Sequence, residues 1–209
     1  MTSFARAERH QLCDLALVLG GSAPTLCGEW DVKQLVVHLL VRERSLVGSP
    51  GIVVPALSGL TERVSQRMAR ADLPLLVDQL RHPRLAPAAI GPLDRLMNTA
   101  EFFVHHEDIR RAQQAWKPRE LSSGQETALW KLARSLGKGL VRGAGVPVVI
   151  EDSRTGAKAV LRRDTEAVVI SGLPSEILLY LYGRQQVTDL DISGPEDAVR
   201  RLRGADRGI

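Results

Sequence analysis

Cysteine is nearly missing from this chain. Two residues, Cys13 and Cys27, in 209 positions cannot build a disulfide framework, and no Cys-x-x-Cys spacing offers a redox pair. Both are expected to be packing residues. Aromatic residues reach only 4%, so Leu, Val and Ala must fill the core, and the stacking platforms of single-strand nucleic-acid binders are lacking. The longest apolar runs, residues 35–41 and 146–150, are far too short for a membrane span. Residues 1–9 carry charges and no apolar stretch of the signal-peptide kind. No repeat or low-complexity tract is present. The expectation is a cytoplasmic protein with no membrane partner.

What remains is ordinary for a globular chain. Hydrophobic residues make up 44% and charged residues 25%, enough at this length to bury one large core or two small ones. The net charge of +4 comes from Lys and Arg spread along the sequence. The densest cluster, Arg200-Arg201-Leu202-Arg203, reads as a solvated helix end, so a nucleic-acid partner is not expected.

Apolar periodicity predicts helix over residues 3–19, then a break at Gly20-Gly21-Ser22-Ala23-Pro24. Asp31 is a good N-cap for a second helix to about residue 47. One or two helices fall in residues 55–82, with Ser58 or Thr61 as start signals and Pro74 in a first turn. A Pro/Ala-rich loop follows His82, then a long helix over 93–114 and another over 123–138, capped by Ser122 or Ser123. After Gly139, Gly143 and Gly145 the period changes. Strands are expected at 146–151, 157–162, 167–170 and 187–192, with helices at 174–182 and 195–203. A helical block followed by a mixed block argues for two domains, 1–143 and 144–209, in an α+β protein.

The informative segment runs from Glu101 to Ala112. Glu101 and His105 are four residues apart, so on a helix they share one face, one turn apart. Such a pair can close on a metal ion; it can equally be a hydrogen-bonded pair on an exposed helix. His38 sits in the apolar run Leu35-Val36-Val37-His38-Leu39-Leu40-Val41, where an imidazole needs partners for its ring nitrogens. Those partners are either a backbone carbonyl or a metal shared with a facing helix. Two His and one Glu leave a tetrahedral ion one open position, the pattern of catalytic zinc; nickel, iron and manganese also accept such donors. Arg42, four residues after His38, either guides an anionic ligand toward the metal or is a solvated charge like Arg44. His106 points about 100° away from His105 and is left outside the site. His10 and His82 are expected at the surface. Trp30 is expected to pack as a hydrophobic staple at the helix start.

The pattern Trp30-Asp-Val-Lys-Gln-Leu-Val-Val-His38, followed by Glu101-x-x-x-His105-x-x-Asp108, resembles the DinB-like superfamily. More narrowly it resembles the mycothiol-dependent maleylpyruvate isomerase family of actinobacteria. The segment Ser171-Gly-Leu-Pro-Ser-Glu-Ile-Leu-Leu-Tyr-Leu-Tyr-Gly-Arg184 is similar to a Gly-Arg-ending stretch in that family's C-terminal domain. The resemblance implies a DinB-like four-helix bundle followed by a small sterol-carrier-like α/β domain. It implies a His38, Glu101, His105 metal triad, with Asp108 accepting a hydrogen bond from a ligand imidazole, and a catalytic Arg184 that binds a carboxylate. The alternative for Arg184 is a helix C-terminal arginine facing the dipole.

The resemblance implies the activity of a metal-dependent thiol transferase or isomerase, with a divalent metal, zinc in the first place, and mycothiol as cofactors. Its partners would be a low-molecular-weight thiol and a small electrophilic or anionic substrate, in a monomer or homodimer. The rival is a non-catalytic metal- and ligand-binding module, in which Glu107, Asp108 or a cysteine closes the fourth metal position.

Overall fold

The computed structural model describes residues 3–48, 67–82, 92–164 and 166–205. Ser58, Thr61 and the loop expected after His82 lie outside the described residues, as does the side chain of Arg44. The chain divides into two compact units, Met1–Lys117 and Pro118–Ile209.

The first unit is helical. Helix α1 (Phe4–Leu19) starts at Ser3, whose hydroxyl accepts the Arg6 N–H at 3.4 Å. Helix α2 (Val32–Gly48) starts from a reciprocal cap. The Asp31 carboxylate accepts the Gln34 N–H at 2.8 Å, and the Gln34 side chain accepts the Asp31 N–H at 2.9 Å. Helix α3 (Leu73–Arg81) carries Pro74 in its first turn, where the missing N–H costs nothing. Helix α4 (Pro92–Arg111) ends three residues earlier than its pattern predicts; beyond it the Gln113 side chain caps back onto the Ile109 carbonyl at 2.8 Å.

These helices meet around Leu12, Leu35, Leu39, Leu76, Leu80, Phe102 and Ile109, all nearly inaccessible to solvent. Cys13 belongs to this core as expected, and burial pushes its thiol up to about 11, so it stays protonated at neutral pH. Helix α4 runs through the centre. Every residue from Glu101 to Ile109 is buried, which is why the helix shows no one-sided apolar stripe.

The second unit begins with helix α5 (Ser123–Leu140), capped by Ser122 and Gln125 in a capping box. After a single 3-10 turn, strands β1 (Val148–Asp152), β2 (Ala157–Arg162) and β3 (Val168–Gly172) follow. Then come helix α6 (Pro174–Leu181), strand β4 (Asp191–Ser193) and helix α7 (Glu196–Gly204). The sheet order is β2-β1-β3-β4. β1 and β3 are parallel, and both outer strands are antiparallel to their neighbours.

The strand-and-helix order expected after residue 145 is the observed one. The last strand is shorter than expected, because Asp189 takes a left-handed φ of 52° and bends the chain before β4. The unit boundary also differs from residues 143/144. Helix α5 packs on α6 and β2, so it belongs to the second unit. Gly137 makes this possible: a Cβ there would lie 2.8 Å from Leu161 Cδ1.

Helix α6 is buried along its whole length. Its first turn has no side-chain cap of its own, and the Glu126 carboxylate of α5 substitutes. Glu126 accepts the Ser175 N–H at 3.0 Å and the Ser175 hydroxyl at 2.8 Å.

Candidate metal centre

Because α4 is buried all round, each polar side chain on it needs a partner. Asn98, Glu101, His105 and Asp108, spaced three, four and three residues apart, form one stripe. Within it, Glu101 Oε2 lies 3.2 Å from His105 Nε2, and Asp108 Oδ2 lies 2.9 Å from His105 Nδ1. The facing helix α2 contributes His38, whose ring centre is 5.5 Å from that of His105 and nearly perpendicular to it. Ligand atoms of His38, Glu101 and His105 all lie within 4.8 Å of one another. The three sequence-predicted ligands are therefore brought together.

His38 and Glu101 stand in the protonation states a metal requires, whereas His105 must release a proton to bind one. Burial, then the neighbouring His105 charge and Arg42, push His38 down to about 4, so its imidazole is neutral at pH 7 with a lone pair free. Its ring makes no hydrogen bond to any described residue, and the expected backbone carbonyl partner is not there. Burial alone would lower His105, but hydrogen bonds to Asp108, Cys27 and Glu101 outweigh it and hold the ring well above its usual value. Burial opposes ionisation of Glu101 too; His105 and Arg42 overcome it and keep the carboxylate charged. With Nδ1–H donated to Asp108, the Nε2 of His105 is the nitrogen that faces Glu101, the arrangement that orients ligand imidazoles in metal sites. Two imidazoles and a carboxylate at this spacing fit a divalent ion such as zinc.

The loop between α1 and α2 frames the centre. Thr25 Oγ1 donates to the Trp30 carbonyl at 2.7 Å and accepts the Cys27 N–H at 3.1 Å. This places Cys27 Sγ 3.0 Å from Asp108 Oδ2 and 3.5 Å from His105 Nδ1. Cys27 thus packs against the core, as expected, and is also a polar partner of the site. Trp30, expected as a staple at the helix start, reaches the His38 ring. Its ring stands 4.9 Å from the His38 ring while the residue stays 40% exposed, so it forms a wall open to solvent. Arg42 is not a solvated charge either. Its Nε is 3.5 Å from Glu101 Oε2, its Nη1 donates to Asn98 Oδ1 at 3.1 Å, and its Nη2 is buried without a hydrogen-bond partner.

Residues weighed as fourth ligands lie elsewhere. Glu107 accepts from Arg110 and Arg111. Asp108 and Cys27 both sit on the Nδ1 side of His105. Among the described residues, no fourth donor joins His38, Glu101 and His105. His106 points the other way, as expected, into a buried pair with Glu8 at 2.9 Å. His82 is exposed beside Asp78, and His10 is half-buried. Arg184 belongs to the second unit, half-buried just past α6. Its Nη1 donates to the Tyr182 carbonyl at 2.5 Å, the helix-terminal geometry weighed against a catalytic role.

No family model matches the chain, and no curated protein matches it. Its fold is that of two solved structures. The crystal structure of the mycothiol-dependent maleylpyruvate isomerase superposes with a TM-score of 0.64 at 16% identity, covering 92% of this chain and 96% of that one. A histidine-to-alanine mutant of the isomerase gives a TM-score of 0.60 at 14% identity, over 93% and 95% of the two chains. No helix among the described residues is long and apolar enough to cross a membrane.

Proposed function

We propose that this chain is a divalent-metal-binding protein, with zinc the preferred ion, that works as a thiol-dependent transferase or isomerase in the cytoplasm. One observation carries the reading: His38, Glu101 and His105 converge from two helices to within 4.8 Å, with no fourth donor among the described residues. The fold shared with the isomerase structures supports the choice of a thiol, mycothiol or a close analogue, as the second cofactor. In this reading the first unit is a DinB-like four-helix bundle and the second a sterol-carrier-like domain.

A divalent ion held there supplies Lewis acidity, which lowers the pKa of a thiol that reaches it and makes the sulfur nucleophilic at neutral pH. The protein's own groups set the conditions. Asp108 holds the His105 proton at Nδ1 and so keeps Nε2 directed at Glu101. Arg42 keeps Glu101 ionised and offers its unpaired Nη2 to an anionic group of cofactor or substrate. Trp30 covers His38 on the solvent side. Arg184 is assigned the binding of a substrate carboxylate, a bidentate role open to a guanidinium.

Metal analysis of the purified protein tests the reading. Wild type is expected to hold one divalent ion per chain, and zinc added to stripped protein is expected to raise its Tm. His38→Ala and His105→Ala are expected to lose the ion while retaining helical circular dichroism. Wild type with no stoichiometric metal and no zinc-dependent Tm shift sinks the proposal.

A further inference from the structure

The second unit carries a groove that the metal chemistry does not use. Lys131, Arg134 and Lys138 of α5 stand three and four residues apart on one helical face, and all are exposed. Opposite them are Lys158 on β2 and Arg163 just after it. With Val160 these cations line a cleft of about 620 Å³ that has no acidic side chain in its wall among the described residues. The close contact of Leu161 with Gly137 seats the strand against the helix.

The charge is uncompensated. Lys158 meets Glu151 at 3.1 Å on the surface, a contact worth little. Lys131, Arg134, Lys138 and Arg163 have no ion pair among the described residues. Elsewhere in the unit, Arg154, Arg200 and Arg201 each hold a carboxylate. Among the described residues β2 is also an edge strand, hydrogen-bonded only to β1. Lysines on such edges discourage unwanted pairing, but that role does not account for three cations placed on the neighbouring helix. Five like charges repel a second copy of the same edge. They attract an extended segment of opposite sign.

We propose that the α5–β2 groove docks an extended acidic segment of a partner protein, added as a strand on the outer edge of β2. Every second side chain of an added strand points to the same face, at a repeat of about 7 Å. The α5 cations advance along the helix by about 4.5 and 6 Å, somewhat less than that repeat, and their long flexible side chains take up the difference to reach alternate carboxylates. Val160, 45% exposed on β2, offers apolar contact to the side chains between them. Strand addition uses main-chain hydrogen bonds for affinity and side chains for selection. Nucleic acid is the less favoured occupant, since the groove has no aromatic side chain for base stacking.

Fluorescence anisotropy on the full chain tests this with a labelled peptide of alternating Glu and Val, about six residues long. Binding is expected at low salt. The triple charge reversal Lys131→Glu, Arg134→Glu, Lys138→Glu is expected to weaken it roughly tenfold or more, with unchanged circular dichroism because all three side chains are exposed. A peptide N-methylated at alternate residues is expected to lose binding. No binding of the parent peptide, equal binding by the triple variant, equal binding of the N-methylated peptide, or tighter binding of oligothymidylate or pyrophosphate each overturns the proposal.

Discussion

The two nitrogens of His105 face different neighbours, and the difference sets what each residue of the centre can do. Nδ1 is turned to Asp108 and Nε2 to Glu101. Asp108→Asn keeps the size of the side chain but removes the charge that fixes this orientation. It is expected to weaken metal affinity about 10- to 100-fold with little change in helix content. Competition with a chromogenic zinc chelator measures it, and an unchanged affinity would mean that Asp108 plays no part in orienting the ligand. His38, Glu101 and His105 were legible from spacing and from an imidazole in an apolar run. Asn98 was legible in principle, because it continues the same stripe one turn before Glu101. Cys27 and Trp30 were not. They lie in a loop without periodicity, and only the Thr25 hydrogen bonds, which depend on the folded turn, bring them to the histidines.

Whole elements make a different set of demands. An interior helical glycine replaced by alanine normally gains up to about 1 kcal/mol. At Gly137 the added methyl would sit 2.8 and 3.0 Å from the two Leu161 methyl groups, with Leu181 Cδ1 at 3.3 Å. Leu161 is 5% exposed and its methyl groups must shift to admit the new Cβ, so Gly137→Ala is expected to destabilise by roughly 1 kcal/mol or more. In a Leu161→Ala background the same change should turn neutral or stabilising, and thermal denaturation of the four proteins measures the coupling.

The β1–β2 turn supplies a pH dependence. The Asp152 carboxylate accepts from Arg154 N, Nε and Nη2 at 3.0, 3.0 and 2.7 Å. Burial opposes its ionisation, but these bonds prevail and hold it below its usual 3.8. Its stabilising effect is therefore complete above that value and is lost as pH falls through the lowered folded-state value. Asp152→Asn is expected to cost about 1–3 kcal/mol at pH 7, with the gap to wild type closing in acid. A gap independent of pH would assign the loss to packing alone. The strands themselves were legible from alternation and turn residues. Helix α4 was legible as a helix but not as the centre of its unit, since a helix buried on every side has no apolar stripe to reveal its packing.

For the whole molecule, the division into units was the least legible feature. The glycines at 139, 143 and 145 look like a linker, yet Gly139 lies inside α5, and Gly143 and Gly145 only turn the chain out of it toward β1. What decides the boundary is the surface that α5 buries, on α6 and β2, and those contacts span tens of residues of sequence. Helix α6 adds a consequence for biosynthesis. It has no wettable side, its first turn depends on a carboxylate from far upstream, and Glu176 inside it accepts the Thr188 N–H from downstream at 3.0 Å. A nascent chain leaving the ribosome tunnel can therefore lay this oily segment against α5 and β3, which precede it, but Glu176 stays without its Thr188 partner until residues beyond the helix have emerged. During that interval the segment is a natural target for a holding chaperone, and translation speed past Thr188 becomes a determinant of soluble yield.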